Sequence, residues 1–211
     1  MKILKNFLVF EGCEGSGKST QARCAAGALQ KRGHKVWLTK EPGGTPYAEK
    51  IRNLILFEKP SDGIDPLTEF LLFEADRREH VQEIIRRHTT GEIIICDRFS
   101  FSTFAYQGYG RKLFPERRAF MEAVDAEVRQ GIYPWLIFLF DQDVAVGLSR
   151  KKNQGDENQF ENEKIEFHQR VRDGFLDLAR RDDTHHWHTI DAHRSVEKIH
   201  DEIMSILEKS H

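Results

Sequence analysis

Residues 7–20 read FLVFEGCEGSGKST, an apolar run that passes directly into GxxxxGKS. That junction constrains the fold more than anything else in the chain. A buried strand has to end at a glycine-rich loop, and a helix has to start on the loop's last residues. Gly12, Gly15 and Gly17 open backbone conformations closed to other residues, so consecutive N–H groups turn inward on a polyphosphate at the positive end of that helix. Cys13, Glu14, Ser16 and Thr20 complete the cradle. Lys18 adds a point charge for β- and γ-phosphates, and Ser19 offers a hydroxyl to Mg²⁺. Glu14 is an acidic side chain inside a loop built for anions, and no Arg stands between Gly12 and Lys18. The carboxylate is therefore expected to face something other than the polyphosphate, and the charge for a transferring group has to come from elsewhere.

Four more apolar runs follow: Val36–Thr39, Ile93–Cys96, Trp135–Phe140 and Trp187–Ile190. Their near-continuous apolar character is that of strands covered on both faces, and helix-like stretches separate them. The pattern predicts a three-layer α/β fold with a five-stranded parallel sheet, its active residues at the carboxyl ends of the strands. The length of 211 residues suits one such domain, residues 1–211. Lys plus Arg total 32 against 34 Asp plus Glu, which argues against nucleic acid as the main partner. Three cysteines, Cys13, Cys24 and Cys96, form no CxxC pair, as expected in a reducing compartment. No apolar run reaches the roughly 20 residues of a membrane span, so a cytoplasmic protein is expected.

The helical stretches are Ser19–Lys31, a helix after the turn at residues 41–45, one from Asp65 and Pro66 to about Arg87, Pro115–Gln130, Val144–Ser149, Lys164–Arg181 and Ser195–Lys209. Between the fifth and sixth of these patterns, residues 150–163 read RKKNQGDENQFENE, with almost nothing apolar to anchor them in a core. A lid is the expected role.

Candidate chemistry clusters at the strand ends. Lys40, Glu41, Pro42, Gly43, Gly44 and Thr45 follow the second strand and lead into a helix carrying Glu49 and Arg52. This is an ordinary Gly-rich turn in composition, but it is placed opposite the phosphate loop where a second substrate would sit. Asp97 ends the third strand, where Mg²⁺ or its waters are held in such folds, and Arg98 beside it could reach two phosphoryl groups meeting in line. Phe73 and Arg77 lie four apart on one helix face. The pair suits a planar base and its carbonyl edge, although a Phe among Leu residues also suits a core. Arg150, Lys151 and Lys152 would supply the cations that the phosphate loop lacks, against the ordinary reading of a solvated charge run. His185, His186, His188 and His193 crowd one region without ligands at structural-zinc spacing. Cys13 reads as a filler position in the loop.

With these residues in hand, the chain resembles the thymidylate kinases, nucleoside monophosphate kinases that phosphorylate dTMP. The resemblance rests on FEGCEGSGKST, KEPGGT, LLFEADR and DRF followed by STFAYQG, with the polar lid and the IDA segment at 190–192 in the same order. It implies that Phe73 stacks on thymine, that Arg77 bonds the O4 edge, that Thr103 and Gln107 lie near the base, and that Ser102 and Glu41 belong to the same dTMP site. Tyr106 would crowd the position of a ribose 2′-hydroxyl. Glu14 would face the acceptor's sugar or its metal-linked waters, while Arg98, helped by Arg52, would hold the acceptor phosphate near the γ-phosphate. It also implies ATP as donor on residues 12–20, Mg²⁺ at Ser19 and Asp97, a homodimer, and the bacterial type that places its arginines in the lid. Three departures stand out: Lys40 precedes EPGGT where Arg is commoner, Phe99 follows the DR pair where Tyr or His is common, and Arg150, Lys152 and Gln154 occupy lid positions where several arginines alternate. The expected reaction is ATP + dTMP to ADP + dTDP in dTTP synthesis. The rival readings are a kinase for dUMP, AMP or CMP, and a nucleotide switch that transfers nothing.

Overall fold

The strand that leads into the phosphate loop, β1 (Lys2–Gly12), is the middle strand of the sheet. This computed structural model describes residues 2–58, 63–152, 160, 163–182 and 186–210. Among them five strands form one parallel sheet in the order β2-β3-β1-β4-β5, with β2 at Val36–Lys40, β3 at Ile93–Asp97, β4 at Ile132–Asp141 and β5 at Trp187–Asp191. All five apolar runs are strands. β1 and β4 extend beyond their apolar cores because Lys2–Leu4 pair with Ile132–Pro134, after which the register shifts before Leu8.

Alternation along the strands divides the core in two. Phe7, Val9, Cys96 and Ile137 face one layer, with Val81 and Ile84 of α3 (Pro66–Thr89) and Val171 and Phe175 of α7 (Ile165–Arg181). Leu8, Phe10, Phe138 and Phe140 face the other, against α1 (Lys18–Lys31) and α8 (Val196–Lys209). The α1 contribution is Ala22, Ala25, Ala26 and Leu29, spaced as one helical stripe. These are the three layers expected.

Local signals explain most helix starts. Asp65 caps α3 by accepting from the backbone N–H groups of Leu67 and Thr68, both at 3.0 Å, with Pro66 at the first helical position. Thr45 caps α2 (Pro46–Leu56), and Ser195 caps α8. The helix expected from Pro115 to Gln130 is shorter, α5 at Arg118–Val128. Pro115 belongs to a preceding turn in which its carbonyl accepts from Arg118 N at 3.1 Å, and Gln130 has already turned left-handed at φ 51°. α4 (Ser100–Thr103) and the π-helical stretch Phe104–Gly110 that continues it carry the STFAYQG motif, for which no helix was read from the sequence. α6 (Val144–Lys152) runs three residues past its expected end. Of the segment expected to form a lid, residues 153–159, 161 and 162 lie outside the described residues, as do the Lys152 side chain, Gln154 and His185.

β1 has β3 on one side and β4 on the other, so the chain reverses direction across the sheet there. Ligands of open α/β sheets bind at that point, outside the carboxyl ends of the strands. Register pairs Phe10 with Asp97 and Gly12 with Phe140, so the phosphate loop, Asp97 and the adjoining Asp141 all lie at those ends.

Candidate active site

At the reversal lies a cleft of about 990 Å³. Its first wall is the phosphate loop, where Gly12, Gly15 and Gly17 have φ of 144°, 67° and 84°, conformations that favour glycine. Gly15, Gly17, Lys18, Ser19 and Thr20 line the cleft, whereas Gly12, Cys13 and Ser16 are buried beneath it. Lys18 is itself largely buried and donates Nζ to the Cys13 carbonyl at 3.1 Å. Burial, with the charge of Arg98, lowers its pKa. Burial, reinforced by Glu14, pushes the Cys13 thiol up to about 12, so its structural contribution is the carbonyl. Ser19 Oγ donates to Asp97 Oδ2, while Asp97 Oδ1 is buried with no partner. An orphaned carboxylate oxygen beside a hydroxyl, next to a phosphate cradle, is a donor set that fits Mg²⁺.

The second wall holds the acidic residue of the loop. Glu14 Oε1 accepts from Tyr106 Oη at 2.5 Å and from Arg98 Nη2 at 3.2 Å. Burial alone would raise the Glu14 pKa, but His168, Arg98 and Lys18, with the Tyr106 hydroxyl, outweigh it and hold the carboxyl well below its ordinary range. Arg98 has a left-handed backbone, φ 75°, a conformation that costs a non-glycine residue about 1–3 kcal/mol. Its surroundings fix it: the Arg98 N–H donates to Phe10 O at 2.9 Å, and the next N–H, that of Phe99, donates to Glu11 Oε1 at 2.8 Å. Ser102 Oγ donates to Glu11 Oε2 at 2.6 Å and accepts from Arg98 Nη1 at 2.9 Å. Glu11 thus braces both the backbone and the guanidinium of Arg98, and it escaped the sequence reading because it looks like the polar end of a strand. Burial pushes its pKa up to about 7, against the pull of Arg98, Ser102, the Phe99 N–H and Lys18.

The third wall brings Phe73 and Arg77 into the cleft together, as their spacing predicts, along with Thr103, Tyr106 and Gln107. Arg77 is 1 % exposed and donates Nε to Glu41 at 3.0 Å, Nη1 to Glu74 at 2.5 Å and Nη2 to Thr103 Oγ1 at 2.8 Å. Three anchors on one fork leave its direction no freedom. Glu41 spends its second oxygen on His80 Nδ1 at 2.8 Å, and His80 Nε2 bonds Thr39 Oγ1, also at 2.8 Å. The carboxylate of Glu41 is therefore turned to Arg77 and His80 while the residue lines the cleft. Asp76 accepts from the Gly43 N–H at 2.8 Å and 3.1 Å, clamping the glycine turn to α3. Gln107 is buried, donates Nε2 to Glu69 at 2.8 Å and keeps its carbonyl oxygen unpartnered. Arg52 reaches the cleft and donates to Pro42 O at 2.7 Å.

Arg150 and Lys151 of α6 also line the cleft, as do Arg23 and Arg194. Arg150 Nη1 is tied to Gln142 Oε1 at 2.9 Å and to Ala192 O at 3.3 Å. Phe160 lies 6.0 Å from Phe73 and 5.7 Å from Tyr106 between ring centroids. Phe160, Arg23, Arg194 and His168 were not singled out from sequence. The histidines sit apart from this cleft: His186 bonds Trp135 O, His188 packs on Phe138, and His193 pairs with Asp191. Among the described residues no group of three or more His, Cys, Asp or Glu side chains is placed to hold a metal ion.

A family model described as Thymidylate kinase matches residues 10–203, from the mouth of the phosphate loop into α8. The chain belongs to the thymidylate kinase family. It is 44 % identical over 203 residues to the thymidylate kinase of Ruegeria pomeroyi, covering 95 % of this chain and 93 % of the relative. It is 39 % identical over 207 residues to that of Deinococcus radiodurans, covering 97 % and 98 %. The crystal structure of the Ehrlichia chaffeensis thymidylate kinase superposes with a TM-score of 0.75 at 36 % identity, covering 96 % of this chain and 97 % of that one. All four motifs that carried the resemblance, with Asp97, Arg98, Phe73 and Arg77, fall inside the part of the chain that the thymidylate kinase model matches.

Proposed function

We propose that this chain is an ATP:dTMP phosphotransferase that produces dTDP for dTTP synthesis, working as one domain over residues 1–211. The observation that supports this most is the continuity of one cleft, from Lys18, Ser19 and Asp97 at one end to Phe73 and Arg77 at the other. A donor polyphosphate and a planar base can then lie in a single volume with their phosphates meeting near Arg98. Membership of the family supports the same reading, and nothing in the comparisons favours dUMP, AMP or CMP as acceptor, or a switch.

In this reading residues 12–20 cradle ATP. Phe73 stacks on thymine, and Arg77, its fork aimed by Glu41, Glu74 and Thr103, bonds the O4 edge, with Gln107 nearby. Glu41 therefore acts through Arg77. Glu14 and Tyr106 face the acceptor's sugar, and Arg98, with Arg52 and Ser102, grips its phosphate. The attacking oxygen belongs to that phosphate and is already anionic near neutral pH, so no general base is needed. Catalysis is positioning plus charge neutralisation by Lys18, Arg98 and the lid of residues 150–163 with Arg150, Lys151 and Lys152. Mg²⁺, held by Ser19 and Asp97 directly or through water, would neutralise charge on the β- and γ-phosphates.

The same reading includes a cytoplasmic homodimer. Its three cysteines are free, and among the described residues no helix is long and apolar enough to cross a membrane. Large apolar side chains stand exposed on adjacent helices, Tyr47 and Leu54 on α2 and Leu71 on α3. A coupled assay of ADP release over dTMP, dUMP, AMP and CMP tests the activity. Preference for dTMP is expected; equal turnover across the panel, or hydrolysis without transfer, would overturn it.

A further inference from the structure

Behind the phosphate loop two buried polar groups face each other without a formed hydrogen bond. His168, in the first turn of α7, is 1 % exposed, and neither of its ring nitrogens has a partner. Glu14 Oε2 is also buried and unpartnered, and it lies 3.5 Å from His168 Nδ1, at the outer limit of a hydrogen bond. An unpaired buried polar group costs about 1–3 kcal/mol, so two pointing at each other call for a function. The helix around them is not loosely built. Arg170 donates Nη2 to Gly110 O at 2.8 Å, and Arg172 grips Asp141 through bonds of 2.7 Å and 3.0 Å.

Both donors that Glu14 does have, Tyr106 and Arg98, sit on Oε1. In the proposed function, on which this inference rests for the role of Glu14, Arg98 turns to the acceptor phosphate. Oε1 then loses its charged partner, and the carboxylate is left to rotate. A movement of about half an ångström brings Oε2 into bonding distance of Nδ1. We infer that His168 is the positioning residue of Glu14, donating Nδ1–H to Oε2 so that the carboxylate stays turned to the acceptor's sugar once Arg98 is engaged. The imidazole is well placed for this. Its neighbour Phe167 packs edge-on against Tyr106 at 6.1 Å between ring centroids, so the first turn of α7 also touches one of the two donors to Glu14 Oε1.

The test uses three substitutions that differ in where they put a donor. His168→Asn places an amide N–H near the Nδ1 position, His168→Gln places it near Nε2, and His168→Leu removes both. The expected result is a KM for dTMP raised roughly tenfold in His168→Leu, the size of one hydrogen bond to a charged group, with the KM for ATP unchanged. His168→Asn restores most of the loss and His168→Gln does not. Equal behaviour of Asn and Gln, or equal shifts for ATP and dTMP, would overturn the inference. Imidazole ¹⁵N spectra of the full-length protein saturated with dTMP supply a second reading that needs no His168 variant to fold. Nδ1 is expected to carry the proton and to shift in Glu14→Gln; an Nε2–H tautomer indifferent to that substitution counts against the bond. Should Glu14→Gln leave the KM for dTMP unchanged, the assignment of Glu14 to the acceptor fails, while the spectra still decide whether His168 holds it.

Discussion

Gly15 and Gly147 meet backbone to backbone. A Cβ on Gly15 would overlap the carbonyl oxygen of Gly147 and lie 2.7 Å from its carbonyl carbon, and a Cβ on Gly147 would overlap the carbonyl oxygen of Glu14. The phosphate loop and α6, which carries Arg150 and Lys151, are therefore seated against each other with no room for a methyl group. Gly147 lies within a helix, where alanine suits the backbone, so the cost of Gly147→Ala is steric. The substitution should push Arg150 and Lys151 off the cleft and lower turnover by about 10- to 100-fold, the effect of a misplacement near 1 Å. Steady-state kinetics with a melting curve check this; unchanged turnover in a folded variant would mean that α6 does not position the cations.

Phe73 lines the cleft but also belongs to the margin of the core, packed against Phe160. If it stacks on the base, Phe73→Ala should raise the KM for dTMP by roughly tenfold or more, with little change for ATP, since stacking and lost apolar area together are worth about 1.5–3 kcal/mol. Matched losses for both substrates, with a lowered melting temperature, would assign Phe73 to packing alone.

How far the site was legible in the sequence follows from the range of the interactions that build it. The phosphate loop, the five strands and the shared face of Phe73 and Arg77 rest on local spacing, and the structure brings the loop and that pair to one cleft. Glu11 is fixed by Ser102, 91 residues away, and Glu41 is turned toward Arg77 and His80, 36 and 39 residues away. No local pattern marks a carboxylate as the brace of one arginine. Gly147 looked like an ordinary helix residue because its reason is the backbone of Glu14. The start of α5 failed for a smaller cause: Pro115 suits both the first position of a helix and the turn it occupies.

The exposed apolar side chains of α2 and α3 bear on assembly. Phe57, next to α2, and Tyr47 at its start are both 60 % exposed, and they are apolar surface that the proposed dimer would cover. Phe57→Asp should convert the expected dimer to a species of half its mass in light scattering at micromolar concentration. A wild-type chain that is already monomeric there would remove the dimer from the proposal.

Glu11 gives a pH dependence of known sign. Its carboxyl would titrate near 4.5 in the unfolded chain, and burial holds it protonated to about 7 in the fold. Between those values the folded state binds the extra proton, so stability contributed by this group is complete below about 4.5 and is lost as pH rises through 7. Glu74 and Asp76, both raised to about 8 mainly by burial, add losses of the same sign. They are present in wild type and in Glu11→Gln alike and cancel in the difference. Denaturant unfolding of the two proteins from pH 4.5 to 8 should therefore show wild type losing stability relative to Glu11→Gln up to about pH 7, by an amount on the order of 1–3 kcal/mol, and no further change above it. A difference that is flat, or that grows in favour of wild type, would mean that Arg98 and Lys18 keep Glu11 ionised and that it braces Arg98 as an anion throughout.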